Sequence, residues 1–419
     1  MEKDLIQRVV ITGLGVTAPN GIGKDKFWEA NINGVSGIDL IESFDTLQLE
    51  TKIAGRVKDF QPAQYIKESS LKRLDRFAQF GVVGAIMAVE DAALDLSKED
   101  CERIGISVGS GLGGVLFHEE QMMAMEGLGL RRADPWGVLK VMPNAINAHI
   151  SIELGLKGPS LTISTACSSG LHAIGYAFDL IRNKKVDVMI AGGAEAPLTP
   201  FTFSAFNALK VMSRRNDSPS EASRPFDAER DGFVLAEGAG FIVLESLEHA
   251  LQRNTYIYAE VIGYGMNSGG YHIVIPQPQG KDMSAVMKLA IKDAGIKTEN
   301  IDYINAHGTS TQANDKAETQ AIKKVFGEYA YKIPVSSTKS MIGHTIGAAG
   351  AIGVIVSALA IKESLIPPTI NYKVPDPNCD LDYVSNIARE KSIKVALINS
   401  FGFGGSNASL IIKKFENTI

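Results

Sequence analysis

The stretch Ser160-Leu161-Thr162-Ile163-Ser164-Thr165-Ala166-Cys167-Ser168-Ser169-Gly170 decides how this chain is read. Its first residues alternate β-branched and small side chains like a buried strand, and Leu171 to Arg182 puts apolar groups at helical spacing. Cys167 therefore falls at a strand-to-helix turn. A helix start offers unpaired N–H groups and a positive dipole end, which favour a thiolate and can hold a developing oxyanion. The small neighbours Ala166, Ser168, Ser169 and Gly170 leave room for a carbonyl to approach the sulfur. A lone cysteine between apolar segments also fits a buried structural thiol, so the distant residues must decide.

Working outward, the 419 residues are 45% hydrophobic and 21% charged, which is material for a large α/β core rather than a disordered chain. A net charge of −5 argues against a nucleic-acid protein. Three unpaired-looking cysteines fit a reducing cytosol, and no apolar run of signal-peptide length follows Met1. The longest apolar run, Ala351 to Ile361, is far short of the roughly 20 residues that span a bilayer and reads as a buried helix.

Val9 to Val16 is a buried strand ending in glycines, but Gly13, Gly15, Gly21 and Gly23 do not form a dinucleotide fingerprint. Further strands are expected at Ile104–Gly109, Val186–Glu195 and Ala239–Glu245. Residues 117–143, rich in Met, suit a cap or an interface. The second half replays the first: Tyr258–Gly265 echoes the opening strand, and Ile301–Gly308 echoes Val186–Gly193. This predicts two halves, 1–253 and 254–419, packed as one body.

Two histidines in the second half lie at strand ends among glycines and hydroxyls, His307 in Asn305-Ala306-His307-Gly308-Thr309-Ser310-Thr311 and His344 in Lys339-Ser340-Met341-Ile342-Gly343-His344. With Cys167 they suggest one site where the halves join. Neither has a partner at zinc-ligand spacing, so no metal is expected. On an acidic chain, the basic residues Lys67, Lys72 and Arg73, with Arg131, Arg132 and Lys210, offer a docking face for an acidic partner.

These motifs, together with Asn399-Ser400-Phe401-Gly402-Phe403-Gly404-Gly405-Ser406-Asn407, resemble those of the elongating β-ketoacyl-[acyl-carrier-protein] synthases. The resemblance spans the whole chain. It implies a thiolase-like, duplicated α-β-α-β-α five-layer fold, a homodimer or a heterodimer with a ketosynthase-like subunit, and carbon–carbon bond formation between an acyl chain and malonyl-carrier protein. It makes Cys167 the acyl-carrying nucleophile, with its own N–H and that of Phe403 as oxyanion hole, His307 and His344 the donors to the malonyl thioester, and Lys339 a buried organiser of the histidines with Asp315 and Glu318 as polar partners. Phe403 becomes a mobile gate, and Leu112, Phe206, Thr309, Thr311, Phe401 and Gly402 line the substrate. The basic residues would meet the carrier protein, whose phosphopantetheine arrives with it, and no cofactor of the enzyme's own is implied. Where the family carries a Glu in an ion-binding cluster, this chain has Gly353, and residues 343–355 are closer to polyketide ketosynthases. A polyketide or polyene pathway is thus the alternative to fatty-acid elongation. Non-catalytic chain-length subunits usually lack the nucleophilic cysteine, and thiolases use a second, C-terminal one, whereas Cys379 sits in a turn-like Pro-Asp-Pro-Asn-Cys-Asp loop.

Overall fold

The computed structural model describes residues 6–129, 131 and 133–416. Arg132, one of the expected basic contacts, lies outside them. Ten strands carry the architecture: β1 (Val9–Ala18), β2 (Ile104–Gly109), β3 (Ser160–Ile163), β4 (Val188–Glu195), β5 (Gly238–Ser246), β6 (Ala259–Ser268), β7 (Tyr303–Asn305), β8 (Val335–Ser336), β9 (Val395–Phe401) and β10 (Ser406–Lys413). Side by side they run β8-β7-β9-β10-β6-β1-β5-β4-β2-β3.

Each half of that row has one internal order, third-second-fourth-fifth-first, with the same directions. β2 pairs parallel with β3 and β4, as β7 does with β8 and β9. β5 is antiparallel to β4 and β1, as β10 is to β9 and β6. The two first strands join the halves by an antiparallel pairing of Val9, Val10 and Ile11 with Val261, Glu260 and Ala259. This repeat corrects one expected echo: Tyr303–Asn305 is a second strand and matches Ile104–Gly109, not the fourth strand at Val188. Short apolar runs ending in glycine look alike in sequence, and only pairing direction separates them.

Five helices complete the layers: α1 (Arg76–Asp91), α2 (Ser169–Arg182), α3 (Lys281–Ala294), α4 (Gln312–Phe326) and α5 (Ala349–Glu363). α1 covers the outer face of the first sheet, where Phe77, Phe80, Val82 and Val83 meet Ile106, Val108 and Phe241. α3 and α4 cover the outer face of the second, through Met283, Val286, Met287 and Ile322. α2 and α5 fill the middle, with Leu171 and Ile174 packed among Ile352, Ile355 and Leu359. The result is the expected five-layer α-β-α-β-α arrangement. The stretch Ile346–Glu363 is apolar enough to cross a membrane, but 89% of it is buried inside the protein, in that central layer.

The repeated glycines set how closely the outer helices approach. A Cβ on Gly13 or Gly15 would lie 2.1 or 2.0 Å from the Ala88 or Gly84 carbonyl oxygen of α1. In the second half, Gly263 and Gly265 stand 2.5 Å by the same measure from Ala290 and Val286 of α3. Strand and helix backbones touch at both places, so a methyl group forces them apart. Gly15→Ala and Gly265→Ala should each cost on the order of 2 kcal/mol, seen as a lowered thermal midpoint.

Candidate functional site

β3 ends before Cys167, which occupies a single 3-10 turn, Ala166–Ser168, immediately ahead of α2. Ala166 takes a left-handed φ of 52°, a strained conformation for a residue with a Cβ. Ser169 holds this elbow, its Oγ donating to the Ala166 carbonyl (2.6 Å) and accepting from the Thr165 N–H (2.9 Å). The bend raises the sulfur into a cavity of about 370 Å³. His344 comes from the equivalent place in the second half, between β8 and α5, and His307 follows β7.

The three side chains meet. The Cys167 sulfur and a ring nitrogen from each histidine lie within 4.8 Å of one another, and all three residues are buried. The imidazoles stand edge-to-face with centroids 5.4 Å apart, flanked by Phe401 against His307 and Phe233 against His344. Nδ1 of His307 and both ring nitrogens of His344 are buried without a hydrogen-bond partner. Buried polar atoms are seldom left so in a finished structure. Here they belong to two histidines that line the cavity.

Burial decides the protonation states. It pushes both imidazoles well below their ordinary value, with the Lys339 charge adding to the effect, so both rings are neutral. It pushes the Cys167 thiol up to about 11, against the downward pull of Lys339 and of the N–H groups of Phe403 and Cys167 itself. The expectation of a resting thiolate is therefore corrected: the helix start orients the thiol, but desolvation keeps its proton on. The two N–H groups that pull the thiol down are the ones expected to form an oxyanion hole.

The second-half loops are pinned by α4. Glu318 accepts from the N–H groups of His307 (2.9 Å) and Gly308 (2.8 Å), and Asn399 donates to it at 3.2 Å. Asp315 accepts from the Phe226 N–H (2.9 Å) and lies 3.6 Å from the buried Arg230 guanidinium. Both carboxylates act on Lys339 through their charges, each raising its pKa as the expected polar partners would, while their oxygens are hydrogen-bonded to loop amides. Lys339 is buried, lies outside the cavity lining and acts through its charge; burial lowers it to about 8. Ser400 ties the halves together, its Oγ donating to the Cys167 carbonyl (2.8 Å).

Leu112, Phe206, Thr309, Thr311, Phe401, Gly402 and Phe403 all line the cavity. Lys67, Lys72, Arg73, Arg131 and Lys210 are exposed and outside it, Lys210 lying between the lining residues Leu209 and Val211. Arg73 stacks on Trp136 at 4.4 Å. Sequence reasoning missed Phe233, Ile346 and the loop Tyr271–Gln277 of the lining, and it missed Glu195, a fully buried carboxylate ending an otherwise apolar strand. That interruption of a buried strand was the available signal. At Gly353 the side-chain space is taken: a Cβ would lie 2.9 Å from Asn305 Oδ1 and 3.2 Å from Ile398 Cγ2. Cys167, His307 and His344 are also the one metal-ligating cluster of this kind among the described residues, but the neighbouring Lys339 ammonium disfavours a cation there.

Comparison with known proteins shows the family. The β-ketoacyl synthase N-terminal domain model matches residues 7–250 and the C-terminal domain model residues 258–373. The chain belongs to the β-ketoacyl synthase family. It is 47% identical over 414 residues to the 3-oxoacyl-[acyl-carrier-protein] synthase 2 of Coxiella burnetii, covering 99% of both chains. It is 44% identical over 410 residues to that of Synechocystis, covering 98% of this chain and 99% of the relative. Among solved structures, a chain from a type II PKS acyl-carrier protein in complex with its ketosynthase bound to the hexaketide superposes with a TM-score of 0.92 at 37% identity, over 98% of this chain and 100% of that one. A chain of the ishigamide ketosynthase/chain length factor gives 0.93 at 36%, with the same coverage.

Three outcomes follow for these residues. Site-resolved alkylation of Cys167 by iodoacetamide should rise roughly tenfold per pH unit between about pH 7 and 10 without a plateau, since the thiol titrates near 11. Lys339→Met, which removes a charge that pulls the thiol down, should slow alkylation at about pH 7.5, where Lys339 is still mostly protonated. Gly353→Glu should destabilise the fold by several kcal/mol, read as a lowered thermal midpoint, because it adds an unpaired carboxylate to a filled core.

Proposed function

We propose that the protein catalyses decarboxylative condensation of an acyl chain with malonyl-carrier protein to give 3-oxoacyl-carrier protein in fatty-acid elongation. The meeting of one thiol and two neutral, unpartnered imidazoles in a single cavity carries this reading, and the relatives named 3-oxoacyl-[acyl-carrier-protein] synthase 2 support it. The Cys167 sulfur attacks the acyl thioester carbonyl. The carbonyl oxygen takes the N–H groups of Cys167 and Phe403, the bond to the pantetheine sulfur breaks, and the thiol proton leaves with that sulfur. Malonyl-carrier protein then binds with its thioester oxygen at the N–H donors of His307 and His344. Loss of carbon dioxide leaves its electron pair as an enolate on that oxygen, and neutral imidazoles suit this task because their N–H groups donate hydrogen bonds without giving up the proton. The enolate carbon attacks the acyl-Cys167 carbonyl, the carbon–sulfur bond breaks, and the departing Cys167 thiolate takes a proton from solvent.

The apolar end of the cavity, lined by Leu112, Phe206, Leu209, Val211, Phe233 and Ile346, suits the acyl chain. Lys67, Lys72, Arg73, Arg131, Arg132 and Lys210 are the proposed contacts for the carrier protein, which brings the phosphopantetheine, and the enzyme itself needs no cofactor. We take residue 253 as the division between the halves and the cytoplasm as the compartment. A homodimer is proposed through the free edge of β3. Leu161 there is 42% exposed, and Leu112 is 39% exposed although it lines the cavity, so a second copy would close that wall. The second reading is a type II polyketide ketosynthase, favoured by the structural neighbours and by Gly353. The mass of the acyl group trapped on Cys167 in cells separates the two pathways.

Cys167→Ala should abolish the acyl-enzyme seen by mass spectrometry and lower condensation by at least about a thousandfold. His307→Ala and His344→Ala should still acquire the acyl group, while carbon dioxide release from malonyl-carrier protein falls by roughly a hundredfold or more. Condensation that survives Cys167→Ala would overturn the assignment.

A further inference from the structure

Glu195 ends β4 and is not itself part of the cavity lining, yet two of the cavity's walls hang from it. Its Oε2 accepts from the N–H groups of Gly111 (2.7 Å) and Gly347 (3.0 Å). Its Oε1 accepts from the Leu112 N–H (3.0 Å) and the Ser110 hydroxyl (3.1 Å). Gly111, Leu112 and Ile346, which precedes Gly347, line the acyl end of the cavity. One carboxylate thus joins the loop after β2 in the first half to the loop between His344 and α5 in the second.

Two further observations show that the clamp carries load. Ile346 sits at φ 41°, a left-handed conformation that a β-branched side chain adopts only when its surroundings force it. The hydrogen bond from the next residue's N–H to Glu195 is part of what forces it. Gly347 leaves no room for a side chain, since a Cβ there would lie 2.6 Å from Glu195 Oε2 and 2.8 Å from the Gly111 nitrogen. The sequence gives up a side chain so that the carboxylate can reach both loops.

We propose that Glu195 is a positioning residue for acyl-chain selection, its carboxylate fixing Leu112 and the strained Ile346 as one rigid wall of the acyl pocket. An amide cannot replace it. A glutamine offers one accepting oxygen for two of the donors and turns its NH2 toward the other two, at least one of which is a backbone N–H that cannot reverse. The Ser110 hydroxyl is a milder point of entry, because it bridges Glu195 to the Gly113 N–H (3.2 Å) and its loss leaves the three backbone bonds to the carboxylate in place.

This inference rests on the condensing function proposed above. The experiment is a comparison of condensation rates for octanoyl- through palmitoyl-carrier protein in the parent enzyme, Glu195→Gln and Ser110→Ala. Ratios within each variant are used, so that a general loss of activity cancels. The ratio of the fastest to the slowest acyl chain should fall at least about fivefold in Glu195→Gln and in the same direction, by less, in Ser110→Ala, since a loosened wall discriminates less sharply between chain lengths. If Glu195→Gln does not fold, Ser110→Ala alone decides. An unchanged or steeper ratio in the folded variants overturns the proposal and leaves Glu195 a purely structural clamp. Absence of condensation in the parent enzyme is the separate result that would remove the functional reading itself.

Discussion

Desolvation of the Cys167, His307 and His344 cluster is the constraint on which the rest of the site depends. Three titratable side chains in one dry cavity must each rest in the neutral form, and each is shifted that way. A site of this kind cannot work through a standing thiolate–imidazolium pair, because Lys339 already supplies a positive charge that both rings feel. It works through hydrogen-bond donors that keep their protons while negative charge develops on the substrate. The buried carboxylates Glu318 and Asp315 are compatible with that, since loop amides and Arg230 hold them away from the reacting atoms.

The duplicated fold explains how one cavity obtains unlike groups from like positions. The turn after the third strand of each half feeds a central helix, and it delivers Cys167 in the first half and His344 in the second. The loop after the second strand delivers Leu112 in the first and His307 in the second. The end of the fourth strand delivers Glu195 in the first and Phe401 in the second. The pseudo-symmetric β1–β6 junction brings the six positions around one centre, so divergence at a handful of residues separates an acyl-binding side from a decarboxylating side.

Much of this was legible in sequence. A β-branched run followed by a helical period locates Cys167, and apolar strands ending in Gly and hydroxyl residues locate His307, because both signals are local. The wrong echo for Tyr303–Asn305 and the unforeseen amide partners of Glu318 have a common cause. Strand direction and the competition between buried donors for one acceptor are settled by residues far apart in the chain, such as Glu318 with Asn399 across 81 positions. The thiol's protonation was misjudged for a similar reason. Proximity to a helix start can be read from neighbours, whereas desolvation is a property of the assembled cavity.

The gate segment shows why the resting geometry suits a two-stage reaction. Phe403 presents its N–H to the sulfur from a 3-10 turn whose next two residues, Gly404 and Gly405, both have left-handed φ values. That turn is stitched to the cavity-mouth loop by two backbone hydrogen bonds, Gly404 N–H to the Ile273 carbonyl (2.7 Å) and Gly269 N–H to the Gly405 carbonyl (2.8 Å). In the free enzyme the N–H groups of Phe403 and Cys167 favour negative charge on the sulfur. In the mechanism proposed above, the carbonyl oxygen of the acylated sulfur would accept from the same two N–H groups. Buried polar atoms left unpaired do occur on the two lining histidines, the residues to which the proposed mechanism assigns the second substrate.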